Sequence, residues 1–154
     1  MNRARRRAVA LTVLACACAA FATTLGALGA TGPAQIRITD VQTAYRLVHP
    51  ETGGAAGSIE TITQQLYNPS LSRAAIGHSV IVCTLVDTKN RSCTETYVLP
   101  KGTLVAIGAL QSRLFYEIPI VGGTGLYDNA RGTLTVTATH LRPRHEVLRF
   151  RLVG

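Results

Sequence analysis

Val121-Gly122-Gly123-Thr124-Gly125-Leu126-Tyr127-Asp128-Asn129-Ala130-Arg131-Gly132-Thr133 parts two strand-like runs, and its reading decides the fold. Before it lies Leu114-Phe115-Tyr116-Glu117-Ile118-Pro119-Ile120. After it lies Leu134-Thr135-Val136-Thr137-Ala138-Thr139-His140, where apolar residues alternate with threonine. Four glycines fall within eleven residues. Glycine supplies positive φ and lets backbones approach closely, so the stretch reads as a specialised turn between two strands. A phosphate loop also carries glycines, but it needs a helix N-terminus after them and usually a Lys-Ser/Thr pair. Here a β-alternating run follows and no lysine occurs after Lys101. The turn is therefore read as structural.

Outward from that turn the same grammar repeats. Short runs with period-2 character are punctuated by Gly, Pro, Asn or Asp. Eight such runs are legible: Gln35 to Val48, Ser58 to Tyr67, Ile76 to Val86, Ser92 to Leu99, Thr103 to Leu110, Leu114 to Val121, Gly132 to His140 and His145 to Val153. No helical periodicity of any length follows residue 30. Eight sequential strands with mostly short connections predict an all-β, eight-stranded antiparallel up-and-down barrel. Closure removes the exposed edges that invite aggregation. A barrel of this size is either filled or holds one small ligand. A lipocalin-like barrel is the alternative with the same physical consequence.

The pattern G-G-T-G-x-Y-x-x-A-R-G-T formed by Gly122 to Thr133 resembles the signature of the allene oxide cyclase/dirigent barrel superfamily. There an aromatic and a small residue follow the G-T-G turn, and an R-G or Y-G opens the next strand. The resemblance extends through Leu99-Pro100-Lys101-Gly102-Thr103-Leu104, Leu66-Tyr67-Asn68 and Ile76-Gly77, and covers nearly all of the chain after residue 33. It implies a barrel that binds an apolar small molecule without a cofactor. Dirigent proteins of this kind steer stereoselective phenoxyl-radical coupling and are secreted. Allene oxide cyclases fold a reactive epoxide into a cyclopentenone, and related bacterial barrels act as cyclases in polyketide pathways. Relatives are often dimers or trimers, which makes a homodimer or homotrimer an expectation here. The Leu-Tyr-Asp of relatives is Leu66-Tyr67-Asn68 in this chain, so an ionisable group is missing at that point.

The N-terminus reads as a secretory signal over residues 1–30, entered as a helix, with the barrel domain over 31–154. Arg3, Arg5, Arg6 and Arg7 form the positive region, Ala8 to Leu28 is uncharged and apolar, and small residues around Ala27-Leu28-Gly29-Ala30 offer a cleavage site. The expected location is secreted or extracytoplasmic. An uncleaved membrane anchor and a lipoprotein, from Val13-Leu14-Ala15-Cys16, are the alternatives.

The chain carries 16 Lys+Arg against 8 Asp+Glu, a net of +8; without the leader's four arginines, 12 cations against 8 acids leave +4. There is no Trp, and the basic residues are not interleaved with aromatics. Nucleic-acid binding is therefore not expected. Cys16 and Cys18 fall in the leader, leaving Cys83 and Cys93. If Asp87-Thr88-Lys89-Asn90 forms a hairpin tip, the two lie directly across antiparallel strands, and an even pair in an exported domain predicts a disulfide. Its loop of about ten residues is worth roughly 2–3 kcal/mol in the chain-entropy model. His78, His140 and His145 are scattered, so no metal site is expected.

Alternation also assigns faces. Pointing in are Glu60, Ile62, Gln64 and Leu66 on the second strand, and Cys93, Glu95, Tyr97 and Leu99 on the fourth. The sixth contributes Tyr116, Ile118 and Ile120, and the seventh Leu134, Val136, Ala138 and His140. The eighth contributes Glu146, Leu148, Phe150 and Leu152. The first strand has no clean alternation, so Arg37, Asp40 and Tyr45 are not placed. A carboxylate buried without a cation has a raised pKa and serves as a proton donor or acceptor near neutral pH. A neighbouring tyrosine hydroxyl polarises a carbonyl or holds an enol oxygen. The candidate catalytic residues are thus Glu60, Glu95, Tyr97 and Tyr116. The candidate ligand contacts are Ile62, Leu66, Leu104, Ile118, Val136, His140 and Phe150. Three functions remain open: a barrel guiding cyclisation or coupling, a non-catalytic carrier, and a structural protein with a filled barrel.

Overall fold

The computed structural model describes residues 34–51, 53–71, 74–111, 114–139 and 144–153. The leader and His140 lie outside the described residues. Among the described residues, strands β1 Ala34–Val48, β2 Ile59–Tyr67, β3 Gly77–Leu85 and β4 Arg91–Leu99 come first. β5 Gly102–Leu110, β6 Phe115–Gly123, β7 Arg131–Ala138 and β8 His145–Val153 follow, with one 3-10 turn at Gly125–Tyr127. Each strand pairs with the next in antiparallel fashion, and β8 returns to β1 to close the barrel. The expected architecture is observed. No helix among the described residues is long and apolar enough to cross a membrane.

The glycine stretch does more than turn. β6 runs on through Gly122 and Gly123, paired with Val105 and Leu104, so the first two glycines belong to a strand. The 3-10 turn then lies against the β4–β5 connection. Leu126 N–H donates to Lys101 O at 2.8 Å, and Thr124 N–H donates to Thr103 O at 2.9 Å. Gly125 holds φ +63°, and a Cβ there would strike the Lys101 carbonyl. Gly132 opens β7 at φ +145°, where a Cβ would strike the Arg151 carbonyl. Both positions need glycine for conformation and for space.

β1 explains its own illegible pattern. Ile36, Ile38 and Asp40 face inward opposite Phe150, Leu148 and Glu146. A bulge between Gln42 and Ala44 then shifts the register, so Tyr45 and Leu47 share the inward face with Ile62 and Glu60. One extra residue inverts the alternation beyond it.

The bore is not a through-going tube: of the two expectations, filled or hollow, each holds at one end. At the end where β4 finishes and β5 begins, Tyr97 and Phe150 meet edge to face with ring centroids 5.0 Å apart. Leu66, Leu104, Leu134, Leu148 and Ile120 fill the space around them and are buried. Aliphatic and aromatic side chains at native density leave no room for a guest there. The opposite end, around Arg91 and Tyr116, is recessed.

Candidate functional site

The recess is bordered by Glu60, Ile62, Ile81, Cys83, Arg91, Glu95, Leu110, Tyr116, Arg144 and Glu146. It offers about 30 Å³ of room for water, and about 330 Å³ when all empty space out to open solvent is counted. The first figure is room for one or two waters, so only a small group reaches the floor. Tyr45 and Leu47, opposite Ile62 and Glu60, are 45% and 36% exposed.

Glu95 forms the floor. It is fully buried, opposite Ile81 on β3 and Ala106 on β5. The small Ala106 leaves the carboxylate space. Tyr97 Oη donates to Glu95 Oε2 at 2.6 Å, and Tyr116 Oη donates to Oε1 at 2.9 Å. Period 2 places Tyr97 on the same face as Glu95, one step deeper, and Tyr116 reaches across from β6. Burial pushes the Glu95 carboxyl up to about 7; the two hydroxyls oppose this by favouring the charged form, and the nearby Glu146 charge adds to it. Burial, and then the Glu95 charge, hold both tyrosines well above their ordinary range, so they stay protonated donors.

Two arginines border the same recess, each against its own carboxylate. Arg91 Nη1 meets Glu60 Oε2 at 3.1 Å. Arg144 Nε meets Glu146 Oε1 at 2.9 Å. Glu146 Oε2 also accepts from Gln64 Nε2 at 3.2 Å, and Gln64 Oε1 accepts from Ser79 Oγ at 2.6 Å. Behind Glu146 sits Asp40, fully buried. Its Oδ1 accepts the Glu146 backbone N–H at 2.9 Å, while Oδ2 has no hydrogen-bond partner among the described residues. Burial first, then the Glu146 charge, push the Asp40 carboxyl up to about 9. It therefore carries a proton at neutral pH.

The Cys83–Cys93 disulfide joins directly opposed residues of β3 and β4, with Cα atoms 4.0 Å apart. Cys83 borders the recess, so the bridge is part of its wall. Asp87 organises the hairpin beyond it, accepting the Lys89 and Asn90 backbone N–H groups at 2.7 and 2.8 Å. No group of three or more His, Cys, Asp or Glu suited to a metal ion occurs among the described residues.

No protein-family model matches the chain, and no curated protein matches it. Solved structures do. A pyocyanin demethylase superposes with a TM-score of 0.64 at 19% identity, covering 76% of this chain and 99% of that one. AbnU, an exo-specific intermolecular Diels-Alderase, gives 0.62 at 17%, covering 80% and 99%. A pterocarpan synthase dirigent protein, PsPTS1, gives 0.58 at 16%, covering 78% and 92%. The fold is the allene oxide cyclase/dirigent-like barrel.

Within this dirigent-like barrel the residues expected from the sequence separate into two groups. Glu60, Ile62, Glu95 and Tyr116 border the recess, and Tyr97 lies beneath Glu95. Leu66, Leu104, Ile118, Val136 and Phe150 are buried in the packed core and are not walls of the recess. His140 lies outside the described residues. Sequence reasoning missed Arg91, Arg144, Glu146 and Asp40 as site groups. Arg91 sits one alternation step before Cys93, and Glu146 was already on the inward face of β8. Asp40 is in phase with Ile36 and Ile38 before the bulge but was passed over because β1 as a whole showed no clean alternation, and Arg144 lies in the connection before β8, where no periodicity operates.

Proposed function

We propose that the chain binds a small hydrophobic molecule in the recess and guides its stereoselective cyclisation or coupling without a cofactor. The observation that carries this reading is Glu95, a carboxyl poised to titrate near neutrality and aimed by two tyrosine hydroxyls at the floor of an apolar recess. A general acid–base is most effective when its pKa lies near the working pH. Glu95 takes or returns a proton, Tyr116 holds the developing oxygen charge, and Ile62, Ile81 and Leu110 fix the guest's exposed face. The likeness to a dirigent protein and to Diels-Alderases supports the same reading at the level of the fold.

The leader-like residues 1–30 and the Cys83–Cys93 bridge support action outside the cytoplasm, where disulfides persist. A non-catalytic binding barrel is the second reading, favoured by the small volume of the recess.

Native mass spectrometry of the protein purified from its own host tests both. A co-purifying small molecule converted by the wild type, and retained unchanged by Glu95→Gln, is the expected result. A ligand bound identically and left unchanged by both forms selects the carrier. No bound molecule of any kind argues for a structural barrel.

A further inference from the structure

The outer wall of β7, β8 and β1 carries a row of arginines away from the recess. Arg149 on β8 stands directly opposite Arg37 on β1, and Arg151 shares its face, opposite Gln35. All three are exposed, while Leu148, Phe150 and Leu152 between them point into the core. Arginine keeps its charge in proteins. Like charges directly opposite in a ladder are destabilising, so carboxylates are expected beside them. All 8 Asp and Glu of the sequence lie among the described residues, and none is there. Asp40, Glu60, Glu95 and Glu146 point into the barrel, and Glu51 and Asp87 lie in connections at the recess end. Glu117 stands two strands from Arg149, about 10 Å across the ladder, and accepts the Thr135 hydroxyl at 3.4 Å. Asp128, in the turn before β7, accepts Asn129 Nδ2 at 3.2 Å. The ion pairs among the described residues, Arg91–Glu60 and Arg144–Glu146, take in none of the three arginines.

We propose that this wall docks the barrel on a membrane surface rich in anionic phospholipid. The planar fork of arginine matches phosphate oxygens in pairs, and Thr133, opposite Arg151, adds a hydroxyl beside them. Between Arg131 and Thr137 on β7, Val147 and Val153 on β8, and Gln35 and Val41 on β1, the outward residues include no aromatic. That sets aside the base stacking of single-stranded nucleic acid and the aromatic anchors that centre protein interfaces. A charged lipid surface needs neither. The position agrees. The chain enters the barrel on this wall at Ala34, opposite Leu152, and the apolar sequence Ala8 to Leu28 ends a few residues earlier. Val153, exposed at the finish of β8, gives the row an apolar tip to settle among headgroups. The recess lies toward the start of β8, at Glu146, and Arg151 toward its finish. A barrel docked by this wall keeps the recess open to a guest.

Co-sedimentation of the full chain with two kinds of vesicle tests it: phosphatidylcholine alone, and equal parts phosphatidylcholine and phosphatidylglycerol. Any binding through the apolar residues 8–28 is common to both, so the ratio of the two affinities reports charge. At about 0.1 M salt the wild type is expected to prefer the anionic vesicles. The triple variant Arg37→Gln, Arg149→Gln, Arg151→Gln should lose about a hundredfold of that preference, and Arg149→Gln alone about fivefold. Arg46→Gln, about 30 Å along β1 from Arg37, should keep it. In about 1 M salt, where the Debye length is about 3 Å, the preference should vanish. The replaced side chains point outward, so the core is untouched, and melting curves on the same samples verify it. Equal affinity for the two vesicles overturns the proposal. So does a preference that survives in the triple variant, which would assign it to basic residues elsewhere in the chain. Tight binding to soluble heparin, lost in the triple variant and unaccompanied by any vesicle preference, would give the wall to a free polyanion and overturn the membrane as its partner.

Discussion

Glu95 owes its chemistry to two opposed influences, burial that favours its neutral form and two hydroxyls that favour its charge. Removing either hydroxyl shifts that balance in a known direction. Tyr116→Phe should raise the Glu95 pKa above 7 by about one unit, since a hydrogen bond to a charged group is worth about 1.5–3 kcal/mol and one unit is 1.36 kcal/mol. Carboxyl carbon NMR of glutamate-labelled protein reads it; an unmoved midpoint would show that the bond does not govern the charge. Asp40 gives a second test through stability. Its folded pKa, about 9, lies above its ordinary value of 3.8, so the folded state holds the proton more tightly than the unfolded chain. The stability this group contributes is whole below 3.8 and is lost as pH rises toward 9. Asp40→Asn keeps the acceptor for the Glu146 N–H and cannot ionise. Its melting temperature should exceed that of the wild type at pH 9 and converge with it at pH 4; parallel melting curves across that range would contradict the assignment.

Strands were legible wherever alternation ran unbroken. β2, β4, β6, β7 and β8 carry their inward residues as period 2 predicts, and most boundaries fall within one or two residues of the punctuation by Gly, Pro and Asn. β1 was not legible, because a bulge leaves no mark on composition and reverses every side chain beyond it. That single feature left Tyr45 unplaced. The Cys83–Cys93 pair was readable because a hairpin tip fixes which residues oppose each other. Cys83→Ser should lower the melting temperature under oxidising conditions by about 10 °C, from roughly 2–3 kcal/mol over a domain of this size, and leave it unchanged under reducing ones. Equal melting shifts in both media would argue against a role for the bridge. β5 and β6 pair over Leu104–Ala106 with a register shift beyond Val105, and Pro119 removes a donor from β6. Amides of β6 near Tyr116 on the β5 side are therefore expected to exchange faster than those of β4 facing β5, as hydrogen exchange resolved by NMR will show.

At the scale of the whole molecule, the barrel has a division of labour that no single strand announces. Period 2 says which residues point in but not at what height they meet, so whether the bore was full or hollow was beyond the sequence. Tyr97 and Phe150 answer it by filling one end. Phe150→Ala should cost about 3–5 kcal/mol by opening a cavity there, and should leave the pH midpoint of Glu95 where it was, because the recess lies on the other side of Tyr97. A melting curve and the carboxyl titration, run on the same sample, separate those two effects. A midpoint that moves with Phe150 would mean that packing at the filled end tunes the acid–base group.

The plug has a kinetic corollary. With one end stoppered by aromatic rings, the described residues leave Glu95 one doorway, the recess. Under the proposed function turnover would be a queue: a spent molecule must back out before a fresh one is admitted, so product would compete directly with substrate for vacant protein. Where two reactants are joined, the one docked deepest must load first and its companion is stacked above it, a compulsory order imposed by the architecture.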